Sequence, residues 1–452
     1  MNGADIVFKR KIYDNLLKWK NESNGTSALM IEGARRIGKS TIVEEFAKNE
    51  YSSYLLLDFN NIDEITRTIF DNGIGNDIDS FFSKLQLSEN VTLHIRKSVI
   101  IFDEVQSYPK ARQMIKYLVK DGRYDYIETG SLISLKKNIE MITLPSEEET
   151  IRMHPMDFEE FLWALGDETT IPFIRKAFEK REPVSDPIHR KILNRYREYM
   201  AVGGMPQVVS QYVRTKDFNT IDREKKLIWT LYNNDVEKIP QPNDTKVSAI
   251  LKTVPYLLGK KNKKFSPNAV KKDSRMDDFD NPLEWLDQSH IINLCKNVTD
   301  PSPIMELDVD AHSIKCYILD TGLLVFKATD GNKTDLNELY KSFIFGKLSV
   351  NEGMFFENMV AQELTASGHE LRMHLFTIPE STKNYEIDFL LKKGKKIIPV
   401  EVKSGKSSIH ASLDHFMSKY KGRYDECFVI HTKDLRKDGK VTYIPIYMTM
   451  FL

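Results

Sequence analysis

Long apolar runs are what this sequence most plainly lacks. Nothing in it approaches the roughly 18 apolar residues of a membrane span, so no membrane insertion is expected. Cysteine is nearly absent too. Cys295, Cys316 and Cys427 are odd in number and far apart, which fits neither a disulfide framework nor a zinc site and points to a reducing cytoplasm. Net charge is also missing, with 65 Lys plus Arg against 65 Asp plus Glu. No global field gathers nucleic acid, and any such partner must meet a local patch. Two lysine runs are candidates, GKKNKK at 259–264 and KKGKK at 392–396, with solvated loops as the plain alternative. The opening MNGADIVFKRKIYDNLLKWK puts charges where a secretory signal has its apolar segment, so export is not expected.

What is present is a globular composition, 41% hydrophobic and 29% charged over 452 residues, a length for two to four domains. Helical spacing of Ile12, Leu16, Leu17 and Trp19 over residues 8–20 predicts an amphipathic helix ahead of an apolar strand at 28–31. Strand-like runs recur at 54–58, 99–102 and 124–128. The segments between them are long enough for crossover helices, which is the α/β pattern of a parallel sheet. Beyond Pro155 the pattern turns to long helices, DFEEFLWAL, IHRKILNRYREYM and REKKLIWTLYNNDVEKI, broken midway by Gly203, Gly204 and Pro206. Further helices (KVSAILKTVPYLL, NPLEWLDQ) precede two strands, IINLCKNV and SIKCYILD, an order that suits a small winged-helix module. A second α/β unit opens with a helix at 353–367.

Between the first strand and its helix lies Gly33-Ala34-Arg35-Arg36-Ile37-Gly38-Lys39-Ser40, the pattern GxxxxGK[ST]. Its glycines let backbone amides curl around phosphates while the following helix offers its positive N-terminal end. Lys39 is expected on the β- and γ-phosphates, and Ser40 on Mg2+. ATP contacts are expected from the whole loop and from Thr41. A buried strand then ends in Asp103-Glu104. Asp103 is read as completing the Mg2+ shell, and Glu104 as the group that polarises the attacking water. Thr129-Gly130-Ser131 ends another strand, and its hydroxyls, Thr129 among them, are candidates to touch the γ-phosphate or the attacking water, a plain turn being the alternative. Arg123 and Arg152 are candidates for an arginine supplied by a neighbouring subunit.

The C-terminal run EIDFLLKKGKKIIPVEVK at 386–403 reads as a β-hairpin with Asp388 on its first strand and Glu401 and Lys403 on its second. Glu401 and Lys403, two apart, share one strand face. Such a set can hold Mg2+ and activate water for phosphodiester hydrolysis, with Glu357 as a further ligand; a solvated face with one salt bridge is the alternative.

The landmarks GARRIGKS, VIIFDEVQ, ETGSLIS, HPMDFEEFL, YMAVGGMPQVV, CYILDTGLL, EGMFFENMVAQEL and EIDFLL…IPVEVK stand in family order. Over nearly its whole length the chain resembles the bacterial and archaeal ATPases that join an AAA-type domain to a C-terminal domain of restriction-endonuclease-like fold. The resemblance implies an AAA core at 1–150, a helical lid at 151–243, a winged-helix module at 244–328 and a nuclease-like domain at 338–452. ATP and Mg2+ are the implied cofactors, DNA the implied partner, and a homo-oligomer, with a hexameric ring among its forms, the implied assembly. Asp388, Glu401 and Lys403 take the D…ExK positions. The acidic run Ser146-Glu147-Glu148-Glu149 departs from the family's small-residue and arginine region and leaves the arginine assignments open. Three functions are thus expected to compete: an ATP-driven machine acting on DNA, a nucleotide-gated switch of assembly, and an ATPase-gated Mg2+-dependent nuclease.

Overall fold

A computed structural model describes residues 6–74, 77–130, 147–236, 239, 243–329, 335–347, 352–378, 383–405 and 410–452. Ser131 and Ser146 lie outside them. The chain divides into two compact units, one ending at His154 and the other starting at Pro155. The first break is a few residues from the expected one.

In the first unit, strands β1 (Ala28–Glu32), β2 (Ser53–Asp58), β3 (Ser98–Asp103), β4 (Asp125–Gly130) and β5 (Glu148–Arg152) form a sheet in the order β2-β3-β4-β1-β5, with every pair parallel. The run SVIIFD of β3 is buried throughout, as a strand covered on both faces requires. One face carries an aromatic core of Phe59, Phe70, Phe81, Phe82, Phe102 and Tyr126. The helix Lys39–Glu50 packs on β2, β3 and β4. The expected N-terminal helix spans Ile12–Ser23 and buries Ile12, Leu16 and Trp19.

Strand β5 escaped the sequence reading because glutamates are poor strand formers. Glu148 and Glu149 of the acidic run open that strand. Ala28 N–H donates to Glu147 O at 2.8 Å, and the Glu148 carboxylate meets the buried Arg112 guanidinium at 2.8 Å. Arg112 also lies 3.7 Å from Glu128. Burial first, then the Glu148 charge, push the Glu128 carboxyl far above the usual carboxylate range.

The second unit contains the expected helices, among them Phe158–Ala164, Asp186–Val202, Phe218–Val236, Asn243–Leu258 and Gly353–Ala366. The expected winged-helix strands are β6 (Ile292–Val298) and β7 (Val309–Ile318), but they are not a separate wing. Strand β8 (Arg372–Thr377) pairs parallel to β6, and β9 (Asn384–Ile387) pairs with β8, giving one sheet in the order β7-β6-β8-β9. The edge of β6 is thus satisfied by a strand from the expected nuclease-like segment, and the expected division between 328 and 338 is not a boundary of this sheet. A second, mixed sheet runs β10 (Phe389–Lys393), β11 (Lys396–Val402), β12 (Cys427–His431), β14 (Val441–Pro445), β13 (Arg436–Asp438). The helix Gly353–Ala366, buried almost all round, packs on β6 and β7 of the first sheet and β11 of the second.

Several landmark motifs serve this scaffold. Tyr199 OH donates to Met156 O at 2.8 Å, Gln362 Nε2 to Tyr199 OH at 3.0 Å, and Thr321 N–H to Gln362 Oε1 at 2.7 Å. Gly204 N–H donates to Asp320 Oδ2 at 2.5 Å, and a Cβ at Gly204 would stand 2.1 Å from Met156 O. HPM, YMAVGG, YILDT and MVAQEL therefore meet in one buried polar network. Among the described residues, no helix is long and apolar enough to cross a membrane.

Candidate functional site

The phosphate loop leaves β1 at Gly33 and enters its helix at Gly38, whose φ is +92°. Side chains are excluded at both ends: a Cβ at Gly33 (φ +153°) would stand 2.4 Å from Met153 O and 2.5 Å from Ile37 Cδ1. Lys39 is buried and donates to Gly33 O and Ala34 O, each at 2.9 Å. Burial lowers its pKa, while the Glu104 and Asp103 charges oppose that shift. Ser40 Oγ donates to Asp103 Oδ1 at 2.8 Å.

Thr129 stands apart from its expected role. Its fully buried hydroxyl donates to Asp103 Oδ1 and accepts Glu104 N–H at 3.2 Å. The acidic pair, rather than an open nucleotide position, is what it meets. Glu104 is held at φ +53°, a conformation uncommon for a non-glycine residue that needs support from its surroundings. Gln106 Nε2 donates to the Glu104 carboxylate, and a Cβ at Gly130 would stand 2.6 Å from Gln106 Oε1.

Two supports were missed in the sequence. Gln106 is visible only as the last letter of DEVQ. Arg10, ahead of the first helix, is buried; its guanidinium donates to Ile37 O of the loop at 2.9 Å and to His154 O at 2.7 Å. Arg123 precedes β4, at the sheet end away from the loop, and pairs with Asp79 at 2.6 Å and Asp121 at 3.0 Å. That occupation argues against its service as a transition-state arginine. Arg152 is exposed at the loop end of the sheet, in register with Glu32.

These residues fit Mg-ATP. The loop leaves no room for a side chain at Gly33, Lys39 is bonded to the loop's own carbonyls, and the Ser40–Asp103 pair supplies hard oxygen donors where Mg2+ is expected. Arg35, Arg36 and Ile37 lie within the loop, with Arg36 at φ +67°, and Thr41 lies in the first turn of the helix that follows.

The C-terminal set is brought together, but not as expected. Asp388 lies at the bend between β9 and β10, where the chain passes from one sheet to the other, and not within a strand. Its Oδ2 accepts Val402 N–H at 2.9 Å. Lys315 of β7, with a side chain 1% exposed, donates to Glu357 Oε1 at 2.9 Å and Asp388 Oδ1 at 3.3 Å and pairs with Glu386 Oε1 at 2.6 Å. Glu357 Oε1 also accepts Tyr317 OH at 2.7 Å, and Lys263, from the first lysine run, bonds Glu357 Oε2. Lys403 Nζ donates to Glu401 Oε1 at 2.6 Å. From the second run, Lys392 pairs with Glu306 at 2.9 Å.

Burial opposes ionisation of Glu357, but Lys315 and Lys263 pull its pKa down to about 2. Burial, then Glu357, raise Asp388 to about 6. Burial, then Asp388, raise Glu401 to about 7. The expected ligands Glu357, Asp388 and Glu401 do not fit a divalent ion in this arrangement. Lysines hold both oxygens of Glu357 and one each of Asp388 and Glu401, and among the described residues the triple with ligand atoms mutually within 4.8 Å is the exposed Asp277, Asp280 and His312 instead.

Residues 25–162 match the family described as "AAA domain". With the phosphate loop between β1 and its helix, that match defines an AAA-type P-loop ATPase domain. Residues 193–334 and 352–448 match families described as domains of unknown function, DUF8612 and DUF4143. No curated protein matches the chain. Among solved structures, the Walker-type ATPase PABY2304 of Pyrococcus abyssi is 15% identical and covers 71% of this chain and 96% of its own, at a TM-score of 0.43. The RuvB Holliday junction branch migration motor of Thermotoga maritima is 9% identical, covering 63% and 89% at 0.27. Cdc6p from Pyrobaculum aerophilum is 10% identical, covering 77% and 97% at 0.27. Superpositions this loose carry no functional argument, which rests on the domain match and the site.

Proposed function

We propose that the N-terminal domain hydrolyses Mg-ATP and that the chain uses this turnover to act on DNA, as a homo-oligomer. The observation that carries the hydrolytic half is the continuous network Ser40–Asp103–Thr129–Glu104–Gln106 beside the phosphate loop. Amides of residues 33–38 hold the phosphates, and Lys39 exchanges the carbonyls of Gly33 and Ala34 for β- and γ-phosphate oxygens. Ser40 and Asp103 would hold Mg2+, which when bound would neutralise phosphate charge. Glu104 orients the attacking water and takes up its proton, while Gln106 fixes the carboxylate that does so. Arg152 is the arginine available at this edge to a neighbouring subunit's site.

The DNA half is supported by the gathering of Glu357, Asp388, Glu401 and Lys403 around one position, the D…ExK combination suited to phosphodiesters. Because lysines already fill that position, binding is favoured over cleavage. Phosphate release is to be measured with and without single-stranded, duplex and branched DNA at low salt. Stimulation by DNA, abolished in Glu104→Gln while ATP binding persists, is expected. An ATPase that neither binds DNA nor responds to it sinks the DNA half alone; absence of Mg2+-dependent hydrolysis sinks both.

A further inference from the structure

We infer that Lys315 is a resident substitute for a divalent cation, so that the C-terminal carboxylate cluster binds no metal and becomes a metal site only when this lysine is removed. The inference concerns the cation chemistry of the cluster and stands whether or not the chain acts on DNA.

A lysine in the middle of a buried strand is costly unless its ammonium is paired. Lys315 sits between the buried residues Ile314 and Cys316 on β7, and its backbone bridges to Lys264. The ammonium meets three carboxylates, one on the helix Gly353–Ala366 and two at the end of β9 and the bend after it: Glu357 at 2.9 Å, Glu386 at 2.6 Å and Asp388 at 3.3 Å. Gathering carboxylate oxygens from several elements is what a hard metal ion does.

The donor accounting leaves no room for a second cation. Glu357 has Oε1 engaged by Lys315 and Tyr317, and Oε2 engaged by Lys263. Asp388 has Oδ1 engaged by Lys315 and Oδ2 by Val402 N–H. Of Glu401, Oε1 is held by Lys403, and Oε2 is buried without a hydrogen bond. Among these three carboxylates that is the one oxygen left without a hydrogen bond, and a divalent ion needs about six oxygen donors. Lys315 and Lys263 converge on the same carboxylate, and together supply the two positive charges a divalent ion would bring.

Removing the Lys315 ammonium frees oxygens of Glu357, Glu386 and Asp388, in a cluster where Glu401 Oε2 already lacks a hydrogen bond. Divalent binding is then expected. The nucleotide-free full chain is titrated with Mn2+ up to about 1 mM, a range in which carboxylate sites fill, and free Mn2+ is read by its electron paramagnetic resonance signal. Wild type and Asp388→Asn should give the same isotherm. Lys315→Met should gain a Mn2+ site, and Lys315→Met/Asp388→Asn should lose it again. Should Lys315→Met fail to fold alone, Mn2+ should restore its circular dichroism and melting transition. A wild-type isotherm that loses a site on Asp388→Asn overturns the inference. A Lys315→Met chain that folds and binds no more Mn2+ than wild type, or stays unfolded with Mn2+, overturns it equally.

Discussion

Replacing Thr129 by valine keeps the shape of the side chain and removes one hydroxyl, so it isolates what that hydroxyl does. In the folded chain it donates to Asp103 Oδ1 and accepts the amide of Glu104 at 3.2 Å, fully buried. A hydrogen bond to a charged group contributes about 1.5–3 kcal/mol, and leaving a buried amide unpaired costs about 1–3 kcal/mol. Only the part that differs between ground and transition states reaches the rate. Taking the charge-assisted bond as that part, 1.36 kcal/mol per decade converts about 1.5–3 kcal/mol into a roughly 10- to 150-fold fall in kcat. ATP affinity should change far less, because the phosphate cradle and Lys39 are untouched. Thr129→Ser restores the hydroxyl and should recover most of the rate. The assay is steady-state phosphate release together with fluorescent-nucleotide binding, on variants whose melting temperatures show them folded. Hydrolysis by Thr129→Val at the wild-type rate would refute the positioning role; so would a serine variant as slow as the valine one.

Two further outcomes follow from buried charges. Arg112→Met strands Glu148 next to Glu128, where all three side chains are less than a tenth exposed. Breaking such a pair costs about 3–5 kcal/mol, or roughly 6–20 °C of melting temperature for a unit of this size. Arg112→Met/Glu148→Gln should recover much of that loss, and equal melting of the single and double variants would contradict the coupling. His431 titrates in the opposite sense to a paired histidine. Burial, helped by Lys433, Arg436 and His189 and opposed by Asp434, lowers its pKa from an ordinary 6.5 to about 4. The unfolded chain therefore takes up a proton first: this contribution is intact above pH 6.5 and is lost as pH falls towards 4, by about 3 kcal/mol at most. His431→Gln should flatten the denaturant-monitored stability profile over that window, and an unchanged slope would count against the shift.

The candidate nucleotide site was legible because the residues that form it are local in the chain. Gly33, Gly38, Lys39 and Ser40 lie within one strand–turn–helix, and the amides that wrap phosphates belong to that same stretch. Asp103-Glu104 was legible for a related reason, since an apolar run ending in two carboxylates marks a buried strand whose end faces the sheet's binding edge. The four parallel strands expected at 28–31, 54–58, 99–102 and 124–128 are all present. The fifth was hidden by its composition, because Glu148 gains its place from Arg112, 36 residues away.

Beyond this the residues alone were insufficient. Thr129 read as a nucleotide contact and became a brace for Asp103 and Glu104, a relation spanning 26 residues. Arg10 went unremarked within the helix expected over 8–20 and is the tie between Ile37 and His154, 144 residues from the latter. Lys263 read as part of a candidate nucleic-acid patch or a solvated loop and Lys315 as one letter in a strand; only the packing of β7, the helix Gly353–Ala366 and the bend at Asp388 turned them into the cations of a carboxylate cluster. Sequence determined which backbone curls around phosphate, because that geometry is set by neighbours along the chain. Tertiary structure decided which charges face each other in a space without water, and whether a carboxylate there holds a metal or a lysine depends on those partners.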